Sequence, residues 1–141
     1  MGAIKFVRAE ERTFVSIADR LADSPELQRA VDQMPDIDLE SASFVHHEGG
    51  PGAPRLAENR FGPGAKVAAH AHDEDEIMVV TAGEIRFGSQ VFAVGSSVFV
   101  PKMTLYAFEA GPEGLTFLVF RPAHQTMVVS KAELVRRKES S

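Results

Sequence analysis

The stretch GAKVAAHAHDEDEIMVVTAG, from Gly64 to Gly83, carries two histidines one residue apart and a glutamate four residues after the second. Apolar and small residues flank this polar centre on both sides, which reads as two strands joined by a tight acidic turn. Successive side chains on a strand point to opposite faces, so His70 and His72 share one face and can hold one ion together. A turn through Asp73, Glu74 and Asp75 brings Glu76, at the start of the next strand, back over the same spot. Two imidazoles and a carboxylate are the ligand set of zinc and of non-haem iron centres. Hard cations favour all-oxygen shells, so the expected cofactor is one divalent transition metal ion, with zinc, iron, manganese and nickel all compatible. Glu74, inside the acidic turn and off the three-residue spacing that separates His72 from Glu76, is a fallback ligand. A hairpin kept only for packing would leave two imidazoles and a carboxylate in need of other partners.

Gly64, His70, His72, Glu76 and Gly83 match every specified position of the first motif of the cupin superfamily, G-x5-H-x-H-x3,4-E-x6-G, and the chain resembles that family. The second cupin motif, G-x5-P-x-G-x2-H-x3-N, is matched at its opening by Gly95 and Pro101. Met103 then stands in place of the motif's glycine, Tyr106 in place of its histidine and Ala110 in place of its asparagine. The resemblance implies an all-β fold, a double-stranded β-helix or jelly-roll barrel, with metal ligands at His70, His72 and Glu76 and with Tyr106 at the position of the third histidine. A phenol coordinates well only as phenolate, which needs a Lewis-acidic ion to remove its proton. Tyr106 is therefore read as a direct ligand, as a catalytic group hydrogen-bonding a metal-bound water or substrate, or as a packed ring with its hydroxyl satisfied. Small cupins commonly pair into homodimers, and the N-terminal region is the expected contact.

At 141 residues the chain has the length of one domain and can bury a core without covalent staples. It has no cysteine, which excludes disulfides, thiolate metal sites and a cysteine nucleophile. A net charge of −5 argues against general binding to nucleic acid or to an anionic membrane surface. No apolar run reaches spanning length, and Met1 to Phe6 lacks the apolar core of a signal peptide, so the sequence reads as soluble and cytoplasmic.

Three parts follow from composition: an N-terminal extension of short helices and loop over 1–54, a barrel core over 55–122, and a tail over 123–141. Ile4 to Val7 reads as a short strand. Ile17, Leu21, Leu27 and Val31 have helical spacing on either side of Ser24-Pro25, giving a short helix and then a second that starts near Pro25 with Ser24 as its cap. His46 to Pro54 reads as a loop, because glycine and proline remove regular hydrogen bonding. Strands are expected over 56–61, 66–72, 76–81, 84–87, 90–93, 97–100, 105–109 and 115–121, and a helix capped by Ser130 in the tail. Met78, Phe87, Phe99 and Phe108 are expected to line the barrel.

The function these features favour is a mononuclear metal-dependent enzyme, an oxygenase, isomerase or lyase, acting on a small anionic or enolisable molecule. The other readings are a ligand-binding or sensory module and a structural barrel without metal, because fold does not fix function. His46, His47 and His124 lie outside the motifs, and one of them could stand in for the missing third histidine. Arg55, Arg60, Arg86 and Arg121 are single charges on separate strands and specify no phosphate.

Overall fold

A computed structural model of the chain describes residues 2–32, 38–123, 128–130 and 135–136. Among the described residues nine strands carry the fold: β1 (Val15–Ser16), β2 (Ala42–His47), β3 (Arg55–Phe61), β4 (Lys66–His72), β5 (Glu76–Phe87), β6 (Gln90–Ala93), β7 (Ser97–Val100), β8 (Tyr106–Arg121) and β9 (Val128–Ser130). All of their pairings are antiparallel. Among the described residues, no helix is long and apolar enough to cross a membrane.

The two long strands β5 and β8 organise everything else. The second half of β8 pairs with β3 on one side and with the first half of β5 on the other, and β7 adds to β5 beyond. The first half of β8 pairs with β4 and with the second half of β5, and β6 extends that side. Each long strand thus serves two sheets, and register shifts near Val80 and Gly83 mark where β5 bends from one to the other. The result is a double-stranded β-helix, or jelly roll, as expected. The sequence suggested breaks at Gly83 and across Gly111–Gly114, yet both strands run through them. Gly83 explains why a bend suffices: its φ is +69°, and a Cβ there would lie 2.1 Å from the Gly114 carbonyl oxygen. Only glycine accepts both the conformation and that approach.

Alternation along these strands fills the barrel. Met78, Val80, Ile85, Val100, Phe108, Ala110, Leu115, Phe117 and Val119 are buried together. Phe61 stacks on Phe117 at 5.7 Å between centroids and meets Phe108 edge-on at 5.9 Å. Burying each such ring contributes about 2–3 kcal/mol. Met78 and Phe108 face the interior as the pattern predicts, and Phe87 packs against the same cluster. Phe99 does not: it is 61% exposed, because Ser97 and Phe99 hold the outer parity of β7 while Val98 and Val100 hold the inner one.

The N-terminal segment contains the two expected helices, α1 (Ile17–Leu21) and α2 (Pro25–Asp32), with Ser24 accepting the Leu27 N–H at 3.1 Å. Ser16 caps α1 in the same way. Ile4 to Val7 forms no strand, since no neighbouring strand pairs with it, and Ile4 and Phe6 stand more than 80% exposed. The loop expected over His46 to Pro54 begins later than its composition suggests. Residues 42–47 form β2, held by β3, and the turn is confined to the residues after it. In the tail, Ser130 ends a strand that pairs with His70 instead of capping a helix, residues 135–136 are helical, and the remainder of that expected helix lies outside the described residues.

The extension is fastened to the barrel by an ion cluster on the outer face of β3. Glu58 is 5% exposed. Arg12 reaches both of its oxygens at 2.9 Å and His46 one of them at 3.0 Å. Burial raises the Glu58 pKa, but the bonds from His46 and Arg12 outweigh it and hold the carboxyl below its ordinary value of 4.5. The fold therefore favours the ionised form, so this stabilisation is complete above pH 4.5 and is lost as pH falls through the depressed pKa. Glu58→Gln should be less stable than wild type at pH 7 by about 1–3 kcal/mol in urea unfolding. The gap should close in acid, and a gap that persists unchanged well below pH 4.5 would assign the loss to packing instead.

Candidate metal centre and ligand pocket

Strand β4 delivers His70 and His72 to one face, and β5 opens with Glu76 after the acidic turn. The turn is tied down from outside by Asp75, whose Oδ1 accepts the Lys102 N–H at 2.9 Å, and by the Met103 N–H, which donates to the His72 carbonyl at 2.7 Å. Met103 has φ +58°, the left-handed conformation that the motif's glycine would adopt without strain. Its side chain packs against buried Ala71, between the two histidines.

His70 donates from Nδ1 to the Ala68 carbonyl at 2.8 Å, which fixes the tautomer by its hydrogen bond and leaves the Nε2 lone pair facing His72. Burial pushes the His70 pKa below 6.5, so the ring is neutral at pH 7. The two Nε2 atoms stand 3.1 Å apart. Without an ion that separation is a hydrogen bond from His72 Nε2–H to His70 Nε2. It is also close to the spacing of two nitrogens each about 2.1 Å from a common ion. Glu76 lies farther off, its Oε2 3.8 Å from His72 Nε2. Among the described residues, no three His, Cys, Asp or Glu side chains close into a metal-ligand group.

Glu76 is instead held by both ends of β8. Tyr106, the strand's first residue, donates its hydroxyl to Oε1 at 2.7 Å, and Arg121, its last, donates from Nη2 to Oε2. Glu76 is 2% exposed, so these two donors serve a carboxylate that is almost wholly removed from bulk solvent. Burial, with the Glu76 charge beside it, pushes the Tyr106 pKa well above 10, which keeps the phenol protonated as a donor. The ring lies parallel to Phe108 at 6.0 Å and tilted against His70 at 4.6 Å.

These side chains line a cavity of about 150 Å³ at the open side of the core, with Phe61, Met78, Phe117 and Val119 among its apolar walls. Asn59 and Arg121 are the further polar residues facing it. Arg121 is the member that motif reading passes over. A signal was present, because Phe117, Val119 and Arg121 alternate on the inward side of one strand, and a cation at a core-facing position needs a reason. The other arginines are engaged elsewhere: Arg55 with Glu48, Arg86 with Glu84, and Arg60 stacked 3.6 Å over Phe14. His46 bonds Glu58 on the outer face, neither His47 nor Glu74 lines the cavity, and His124 lies outside the described residues.

No family model and no curated relative matches the sequence. Solved structures do. An RmlC-like cupin from Shewanella frigidimarina NCIMB 400 aligns at 17% identity over 86% of this chain and 93% of its own, with a TM-score of 0.57. The chain has the cupin fold. A polyketide cyclase, RemF from Streptomyces resistomycificus, aligns over 97% of this chain and 94% of its own at 15% identity and a TM-score of 0.64. A putative acetylacetone dioxygenase from Methylibium petroleiphilum PM1 aligns over 94% and 85% at 12% identity and a TM-score of 0.67. In this chain His70, His72 and Glu76 come together as the hairpin should bring them, and Tyr106 bonds Glu76.

Tyr106→Phe keeps the ring and removes only the bond to Glu76. The variant should fold with the same sheet signature by circular dichroism and lose about 1–3 kcal/mol in urea unfolding. Tyr106→Ala, which also removes the ring from Phe108 and His70, should lose more. Equal stability of wild type and Tyr106→Phe would mean that the hydroxyl does not support Glu76.

Proposed function

We propose that the chain is a metal-dependent cupin enzyme whose ion is held by His70 and His72, with Glu76 as the carboxylate ligand, and whose substrate is a small anionic or enolisable molecule in the barrel cavity. The observation that carries this reading is the pair of imidazoles: His70 neutral with its tautomer set by Ala68, and the two Nε2 atoms 3.1 Å apart at the wall of a cavity. Glu76 uses one lone pair on each oxygen for Tyr106 and Arg121, so each oxygen retains another for an ion. A bound ion would act there as a Lewis acid on a carbonyl or enolate oxygen. Tyr106 and Arg121 hold the carboxylate in place, and the phenol keeps a proton one bond away from it. The apolar walls exclude water from the bound molecule. The fold likeness to a putative acetylacetone dioxygenase supports this class of chemistry, since acetylacetone is itself small and enolisable.

Protein purified without a polyhistidine tag should carry close to one transition-metal ion per chain by elemental mass spectrometry. Replacing both His70 and His72 by alanine should abolish it, because a lone carboxylate binds such ions weakly. Wild type that stays metal-free even after incubation with zinc, iron, manganese or nickel would retire the metal. The engagement of Glu76 by two protein donors favours a second reading, a binding or sensory cupin without turnover, and metal-loaded protein that binds but never converts small diketones or keto acids would select it.

A homodimer is also proposed, with its contact on the barrel. Phe99, Ile77 and Phe120 pair across β7, β5 and β8 and stand 61%, 40% and 40% exposed in one outward row. A second copy would cover that row, whereas the N-terminal segment packs on its own barrel through Arg12 and β1. Sedimentation should give a dimer for wild type and a monomer for Ile77→Lys, and a monomeric wild type at high concentration would refute the pairing.

A further inference from the structure

We infer that Arg121 is the anion-recognition residue of this cavity, and that its ligand is a small carboxylate or enolate with an apolar body about the size of benzene. The inference deepens the small-molecule reading of the same cavity and rests on it. A guanidinium offers five N–H donors in a rigid fork that matches a carboxylate with two parallel bonds. Arg121 spends one nitrogen, Nη2, on Glu76, and its Nε is buried with no hydrogen-bond partner among the described residues. A buried N–H left unmet requires an explanation, and an acceptor that arrives with a ligand supplies one. The side chain is 11% exposed and lines the cavity, which separates it from a solvated surface charge.

Pairing with Glu76 alone accounts poorly for an arginine here. Tyr106 already serves that carboxylate, and the β8 parity that gives Phe117 and Val119 would continue with an apolar residue. Asn59 is an independent second observation. It follows Ala57 on the inward side of β3, lines the same cavity, and its amide makes no side-chain hydrogen bond among the described residues. A guanidinium and an amide on one wall, with phenyl, methionine and valine side chains making up much of the rest, select a molecule with one anionic end, an apolar body and a further polar atom. Among the described residues Arg121 is the one arginine or lysine that lines the cavity, so the charge of the ligand is read there. The volume, about 150 Å³, equals that of an engineered cavity in another protein that accepts benzene.

Isobutyrate and its neutral isostere isobutyramide have the required size and differ only in the charged end. Titrated into zinc-treated wild type and into chelator-treated wild type, with the arginine Nε–H resonances followed by NMR, isobutyrate should bind at least tenfold more tightly than the amide. It should also shift the Nε–H signal that Arg121→Lys removes. Arg121→Lys should lose that acid preference while leaving amide binding within about twofold. Equal affinity for acid and amide, or a preference that appears only with zinc and survives Arg121→Lys, would overturn the inference, the second by assigning the anion to the ion. An Arg121-dependent preference in protein that takes up no zinc would uphold the inference and retire the metal alone. If Arg121→Lys does not fold, the wild-type spectrum decides: the Nε–H signal, identified then by its isolation from solvent exchange, moves with isobutyrate and not with isobutyramide, or the inference fails.

Discussion

A single buried carboxylate, Glu76, ties the two ends of the longest strand to the hairpin that carries the histidines. The strand β8 is sixteen residues long, and its terminal side chains, Tyr106 and Arg121, both return to the same carboxylate. That closure is possible only because β8 bends from one sheet into the other as it crosses β5. The carboxylate is almost wholly buried, so loss of either donor leaves an acceptor poorly met in a low-dielectric site. The barrel's curvature and the site's polar chemistry therefore support each other: the bend brings the donors to Glu76, and Glu76 holds the ends of the bend together.

The rest of the site is arranged around this clamp. His70 is oriented from behind by a backbone carbonyl on its own strand, and Met103 accepts a left-handed backbone while its N–H grips the carbonyl of His72. These contacts set the direction of the two Nε2 atoms before any ion or ligand arrives, which lowers the reorganisation that binding requires. The apolar wall of Phe61, Phe108 and Phe117 is continuous with the barrel core, so the cavity is an incomplete filling of the core. Its polar residues stand on one rim of an otherwise apolar space.

On the opposite side of β3 a second carboxylate, Glu58, plays a purely architectural part. It receives Arg12 from the N-terminal segment and His46 from β2, and Phe14 nearby is covered by Arg60 and leans on Phe44. Parity along one strand separates the two roles: Glu58 faces out to the extension while Ala57 and Asn59 face in to the cavity.

The spacing of His70, His72 and Glu76 was enough to determine the hairpin and the shared face of the two histidines, because strand periodicity is local and a one-residue slip would turn every side chain over, while the barrel class came from the resemblance of Gly64, His70, His72, Glu76 and Gly83 to the cupin motif. The helix start at Ser24-Pro25 was legible for the same reason, since caps act within three residues. What Glu76 would bond was not legible. Its partners lie 30 and 45 residues away in sequence, and only the crossing of β5 and β8 brings them to it. The continuity of those strands through Gly83 and Gly111 was hidden too, because a glycine marks a turn and a barrel bend with the same residue. Strand β2 was missed beside its glycine-rich neighbour, as its short sequence pairs only because β3 is there to receive it. Local pattern thus determined which residues face inward, while tertiary structure alone decided which of them meet, since hydrogen-bond partners across a barrel are set by strand crossing and not by distance along the chain.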